Sequence, residues 1–225
     1  MTFENILLYP QETRITIKLN FVLFPIETQD IMLFLGYYGF LRTKLPPKPN
    51  LPVDTKLEMI GLIASKDDVS IELNPDTQTL TARGPIFYNV SKIFQEVIAI
   101  IEKHIYYDFE KNSFYIESIS SNRIKTGNSP LSNIQKLGKL SIYNKFSKII
   151  GQPAAPFSVH ICSPEKTVNS KNWYDITIRP VPHQSESTYD IVTVFRNYEK
   201  SKVLKFVDNL EYICKNLIHI IEENP

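Results

Sequence analysis

Arg14-Ile15-Thr16-Ile17-Lys18-Leu19-Asn20-Phe21-Val22-Leu23 carries the clearest two-residue period in the chain. Ile15, Ile17, Leu19, Phe21 and Leu23 fall on one side of an extended backbone, and Arg14, Thr16, Lys18 and Asn20 fall on the other. A segment divided in this way is a strand with one face on a core and one face in water. It belongs in an antiparallel sheet that is covered on one side.

Pro25 ends the strand, and residues 27–41 then read as a short apolar helix weakened by Gly36 and Gly39. Residues 44–53 hold four prolines, which excludes helix and central strand and leaves an extended connector. Three strands are predicted next, over 57–65, 69–74 and 79–83, divided by the turn residues Lys66-Asp67-Asp68 and Pro75-Asp76-Thr77. A helix over 89–105 follows Gly84-Pro85, with Asn89 suited to cap it. Its Ile93, Phe94, Val97, Ile98, Ile101 and Ile105 recur every three or four residues, a stripe that must cover a sheet.

The same order then repeats. Residues 113–120 read as a strand, Ser129-Pro130 as a cap with proline at the first helical position, and Leu131, Ile134, Leu137, Ile142, Phe146, Ile149 and Ile150 as one helix ending near Gly151. Strands follow over 157–163, 173–179 and 189–195, and an amphipathic helix over 199–222 closes the chain. Each half reads β-α-β-β-β-α, with 68–73 lying over 174–179 and 90–103 over 200–215. The predicted fold class is α+β. Two similar lobes, 1–108 and 109–225, carry antiparallel sheets with long helices on one face, either as separate lobes or as one continuous sheet.

Of 225 residues, 43% are hydrophobic and 22% charged, which excludes a disordered or collagen-like chain. A chain of this length buries about 70% of its unfolded surface and needs no metal or disulfide to fold. Lys+Arg number 25 against 24 Asp+Glu, and a net charge of +1 supplies no long-range field toward nucleic acid or anionic lipid. The first ten residues lack a basic leader region, and no stretch approaches the ~18 apolar residues of a membrane span. The reading places the protein in the cytoplasm, away from membranes, with Cys162 and Cys214 as reduced thiols.

No nucleophile elbow, Walker loop, dinucleotide fingerprint, zinc-protease or kinase signature occurs, and seven glycines leave little material for a phosphate cradle. His104 and His219 stand near the ends of the two long helices, where an imidazolium complements the helix dipole. His160 and Cys162 face the same side of one strand but lack a second ligand pair, so core packing is their expected role and no metal is expected. Asp67 with Asp68, and Asp175 with Asp190, are the carboxylate pairs open to acid–base work; the simpler reading is a hairpin turn and strand charges facing water. No catalytic residue and no cofactor follow, which points away from an enzyme.

Aromatic residues are abundant, with 13 Phe, 12 Tyr and one Trp. Tyr37, Tyr38, Tyr106, Tyr107 and Trp173 do not all fit one buried face, and aromatics with a polar tip are enriched at interfaces. The polar side of the sheet is expected to show Arg14, Lys18, Arg83 and Arg179 among Glu72, Asp175, Thr16, Thr79, Thr81 and Thr177. That is a mixed face, without the basic strip that phosphates require. The candidate interface residues are Trp173, Arg179, Arg14, Lys18, Tyr37 and Tyr38.

A duplicated unit of this kind resembles, in architecture, the saddle of the TATA-binding protein, whose exposed sheet binds the minor groove. That saddle is basic at its flanks and carries paired phenylalanine wedges, and no such pairs can be placed here. The strand through Tyr115-Ile116-Glu117-Ser118-Ile119-Ser120-Ser121-Asn122-Arg123-Ile124, following a long helix, and the C-terminal strand and helix are similar to a sporadically distributed family of prokaryotic two-lobed α+β proteins. That family has no established activity, so the resemblance implies a fold and no functional residue. The functional expectation is a non-enzymatic protein-binding or scaffold module that holds a protein partner or its own copy. The alternatives are a saddle-type nucleic-acid-binding regulator, and an enzyme or small-ligand binder with its site between the lobes.

Overall fold

A computed structural model describes residues 6–20, 28–43, 61–164 and 166–223. Its strands are β1 (Leu7–Leu19), β2 (Leu41–Arg42), β3 (Gly61–Lys66), β4 (Val69–Asn74), β5 (Thr79–Gly84), β6 (Ser113–Lys125), β7 (Val159–Cys162), β8 (Trp173–Pro180) and β9 (Thr188–Asn197). Its helices are α1 (Thr28–Tyr37), α2 (Phe87–Ile105), α3 (Phe109–Asn112), α4 (Pro130–Lys136), α5 (Leu140–Ile150), α6 (Lys200–Asp208) and α7 (Leu210–Glu223). The proline-rich connector at 44–53, the start of the strand predicted over 57–65 and residues 21–23 lie outside the described residues.

All nine strands join one antiparallel sheet in the order β2-β3-β4-β5-β1-β6-β9-β8-β7. The two halves of the chain therefore meet at a central β1–β6 seam, where Ile15 stands opposite Ser118 and Ile17 opposite Ile116. The alternation of residues 14–19 is present in β1: Ile15, Ile17 and Leu19 are buried, whereas Arg14, Thr16 and Lys18 turn to the other face. Pro10 sits in the part of β1 beyond the reach of β5, whose pairing stops at Thr13 opposite Gly84, so its missing N–H deprives no strand on that side.

Helices cover one face. The amphipathic stripe of α2 buries Val90, Ile93, Phe94, Val97, Ile98, Ile100 and Ile101 against the first-half strands, at about 1.5–3 kcal/mol for each fully buried large side chain. The larger core cluster also takes Ile116 from β6 and Val203, Leu204, Val207 and Leu210 from the C-terminal helices. A smaller cluster joins Ile124, Ile176, Ile178, Tyr189 and Ile191 of the sheet to Ile134 of α4 and to Cys214, Ile218 and Ile221 of α7.

Between the clusters the helix-side face of the sheet turns polar. Thr13, Ser118, Ser120, Asn122 and Thr193 are all buried there. The Thr13 and Ser120 hydroxyls lie 2.8 Å apart, and Asn122 Nδ2 donates to Ser120 Oγ at 3.0 Å. Ser118 Oγ, Asn122 Oδ1 and Thr193 Oγ1 are buried without a hydrogen-bond partner. Along β6 this reads Ile116, then Ser118, Ser120 and Asn122, then Ile124, a polar seam between two apolar cores.

Several sequence expectations need correction. The helix predicted through residues 131–150 is two: α4 ends at Lys136 with Leu137 at the cap position, and Lys139 is extended before α5 begins. The C-terminal helix is likewise divided at Asn209 (φ −99°, ψ 8°), whose side-chain amide donates to the Lys205 carbonyl at 2.7 Å. Helix α2 starts two residues before Asn89, with Ile86 at the cap position and no side-chain cap. Ser129 caps α4 with Pro130 behind it, and Gly151 ends α5 at φ +73°, both as the sequence implies. Asp67 and Asp68 take positive φ (48° and 63°) in the β3–β4 turn, which is their hairpin role.

Both cysteines are free. Cys214 lies in the smaller core, where burial pushes its thiol up to about 12, while Cys162 is exposed on edge strand β7. A thiol reagent is expected to titrate one cysteine in the native protein and two in denaturant. Because the folded thiol stays protonated while the unfolded one ionises near 9.0, Cys214 contributes stability below that pH that drains away as pH rises toward 12. Two reactive thiols in the native state would contradict this packing.

Candidate functional site

Opposite the helices, the sheet presents a face that no described element covers. Alternation alone decides what stands on it: Arg14, Thr16 and Lys18 from β1, Thr79, Thr81 and Arg83 from β5, and Ser70, Glu72 and Asn74 from β4. The second half adds Tyr115, Glu117, Ile119, Ser121 and Arg123 from β6, Asp190, Val192, Val194 and Arg196 from β9, and Trp173, Asp175, Thr177 and Arg179 from β8.

The charges on this face are largely spent on one another. Arg83 Nη2 reaches Glu12 Oε2 at 2.6 Å, and Arg179 donates from Nε and Nη2 to Asp190 Oδ2 at 3.0 and 2.9 Å. His160 Nε2 lies 2.6 Å from Asp175 Oδ2. Arg196 donates from Nε and Nη2 to Glu117 Oε2 at 2.9 and 2.5 Å, with side-chain exposures of 12% and 15%. The Arg196 guanidinium also lies 4.1 Å from the Tyr115 ring centre and 5.7 Å from that of Trp173, and its Nη1 donates to the Val168 and Ser170 carbonyls. Arg14 and Arg123 enter no ion pair among the described residues, and Lys18 donates to the Thr77 carbonyl.

Between the pairs runs an apolar strip. Ile119 stands opposite Val194, and Val192 lies one step along the same face opposite Ser121. An open recess of about 410 Å³, lined by Gln11, Glu12, Arg14, Ile119 and Ser121, adjoins it at the central seam.

Four of the six interface candidates, Arg14, Lys18, Trp173 and Arg179, share this face. Tyr37 and Tyr38 do not: Tyr37 ends α1 and Tyr38 follows it in the turn, on the helical layer. Tyr37 is exposed, but the Tyr38 hydroxyl lies 3.0 Å from His104 Nε2 and accepts from Lys103 Nζ at 3.1 Å, so it ties α1 to α2. His104 is also stacked on Phe34 at 4.6 Å. His160 and Cys162 are exposed on β7, not packed in a core. Asp175 and Asp190 do not form a carboxylate pair, because register sets Asp175 opposite Val194 and Asp190 opposite Arg179.

Chemistry on the helical side is sparse. A cleft of about 340 Å³ beside the start of α6 contains Glu110, Glu199 and Lys200. A hydrogen bond from Lys202 holds the Glu199 carboxyl below its usual range, which suits a fixed charge and not a proton donor. Among the described residues no group of three or more His, Cys, Asp or Glu side chains is placed to hold a metal ion, and no helix is long and apolar enough to cross a membrane.

Arg196, Glu117 and Tyr115 were absent from the sequence-derived candidates. Their signal was present in the alternation Asp190, Val192, Val194, Arg196, but their partnership spans 79 residues and emerges only from strand register. The chain matches no protein-family model, and no curated protein matches it in sequence.

Proposed function

We propose that the protein is a non-enzymatic binding module that holds another protein surface against the open face of its sheet. The observation behind this reading is the self-neutralised charge of that face. A surface whose Arg83, Arg179 and Arg196 are already matched by Glu12, Asp190 and Glu117 has little to offer a phosphate backbone. What remains free is the Ile119, Val192 and Val194 strip beside Trp173, an apolar centre with a polar rim of the kind protein interfaces use. The division into units 1–108 and 109–225 by duplication belongs to the same proposal. It is supported by the strand order, which runs β5, β4, β3 outward from β1 and β9, β8, β7 outward from β6.

That order also favours a second reading, a saddle-type nucleic-acid binder, with Arg14, Lys18 and Arg123 as the phosphate contacts. The two readings separate in one experiment. A photo-crosslinking residue at Val194, on the open face, is expected to give discrete protein adducts in cells, and one at exposed Ala99 of α2 none. The purified protein should show a protein-like 260/280 nm ratio. Equal adducts from both positions would remove the open face as the binding surface, and a 260 nm excess that disappears in high salt would replace the protein partner with nucleic acid.

A further inference from the structure

The near-neutral total conceals a division of charge. Residues 118–164 contain Arg123, Lys125, Lys136, Lys139, Lys145 and Lys148 and no Asp or Glu, so the rest of the chain carries all 24 acidic residues against 19 basic ones. The middle of this segment is α5, on the connection from α4 to edge strand β7. No described helix or strand makes an extended contact with it.

Helix α5 has a sharply divided surface. At 100° per residue, Ile142, Tyr143, Phe146, Ile149 and Ile150 occupy one arc, and Asn144, Lys145 and Lys148 lie outside it. In an interior helix that arc would be covered. Here Ile142, Phe146, Ile149 and Ile150 are 45%, 47%, 82% and 64% exposed. The stripe continues into the following loop, since residues 149–159 carry no charge and Phe157 is 54% exposed. The loop is fastened to the helix: Ser147 Oγ donates to the Tyr143 carbonyl at 2.9 Å and accepts from Ala154 N–H at 2.8 Å. Helix and loop thus form one exposed apolar surface edged by lysine.

We infer that α5 and its loop are a membrane-surface anchor that seats in the interface of an anionic lipid bilayer. Isoleucine and phenylalanine enter the acyl boundary while lysines at the margin remain at the headgroups. Charge complementarity selects the lipid, because residues 126–164, which run from α4 through α5 and its loop, carry Lys136, Lys139, Lys145 and Lys148 and no acidic residue, and are drawn to an acidic leaflet. The sequence reading set membranes aside on net charge and on the lack of a long apolar stretch; net charge is a sum that averages this segment with the acidic remainder of the chain. The anchor is independent of the open sheet face.

The test is flotation of the intact protein with vesicles of pure phosphatidylcholine and with vesicles containing about 30% phosphatidylserine. Binding is expected on the anionic vesicles, with weakening at high salt and little on the neutral ones. Phe146→Glu and Ile149→Glu are each expected to reduce it at least tenfold, and the double variant Lys145→Glu/Lys148→Glu likewise. Tyr212→Ser, at an exposed aromatic of α7, should leave binding unchanged. All of these positions are surface ones, and unchanged melting temperatures will show that the variants fold. No flotation, equal flotation on both vesicle types, or full binding by the Phe146 and Ile149 variants would overturn the inference. Binding to heparin or polyglutamate as tight as to vesicles would also overturn it, in favour of a soluble polyanion.

Discussion

Arg196→Ala is expected to lower the unfolding free energy by about 3 kcal/mol, measured by equilibrium urea denaturation. The reason lies in what remains behind. Glu117 is only 15% exposed, and Arg196 supplies both of its hydrogen bonds from the guanidinium. Removing the cation leaves a nearly buried carboxylate without a counter-charge, a larger penalty than the pair's own net contribution. The same truncation releases the Val168 and Ser170 carbonyls and empties the space between Tyr115 and Trp173. The double variant Arg196→Met/Glu117→Leu is expected within about 1 kcal/mol of the parent, because it removes the charges together. A loss below about 1 kcal/mol from the single change would show that the pair is solvated and the open face less organised than described.

Phe94→Ala is expected to cost about 3–4 kcal/mol, and Ile149→Ala less than about 0.5 kcal/mol. Both are large apolar residues on strongly amphipathic helices, and their sequence settings look alike. Phe94 is 1% exposed in the larger core, where truncation leaves a cavity among Ile residues that the sheet holds in place. Ile149 is 82% exposed and leaves nothing behind. Thermal or urea unfolding distinguishes them directly. A loss at Ile149 approaching that at Phe94 would mean that α5 is covered, and would remove the basis for its role at a lipid surface.

That contrast marks the limit of what periodicity reveals. A period of 3.6 states that one side of a helix avoids water, not which partner it meets, so α2 and α5 were read alike. Strands fared better where both faces were chemically distinct. Residues 69–74 were placed to the residue, since alternating Val69, Ile71 and Leu73 are bounded by a positive-φ turn and by Pro75. Strand β6 was read five residues short, and the polar seam explains it: Ser118, Ser120 and Asn122 face the interior, so the apolar alternation fades while the strand continues. Neither helix break was foreseen. At Gly138 the five-residue step from Leu137 to Ile142 was visible, and a Cβ there would stand 2.6 Å from the Tyr143 ring and 2.8 Å from Pro156. At Asn209 the cause is a side chain bonding back to its own helix, a local competition that apolar spacing does not record. The open face was legible as a list of residues, because alternation is local. Its ion pairs were not, because they depend on which strands become neighbours.

The central seam has a consequence for the order in which the protein is made. Leu7 to Pro10 and Glu12 pair with β6 alone, and Thr13 and Ser120 are 107 residues apart in the chain. At about 5–20 residues per second, a ribosome takes about 5–20 seconds to deliver the partner after the first strand has been made. Throughout that interval the nascent strand is a free edge that could recruit a neighbouring chain. Pro10, with no N–H to donate, and the irregularity at Gln11 interrupt its ladder at the stretch that waits longest. The same two residues that look like flaws in a finished sheet keep the unfinished one from pairing with the wrong polypeptide.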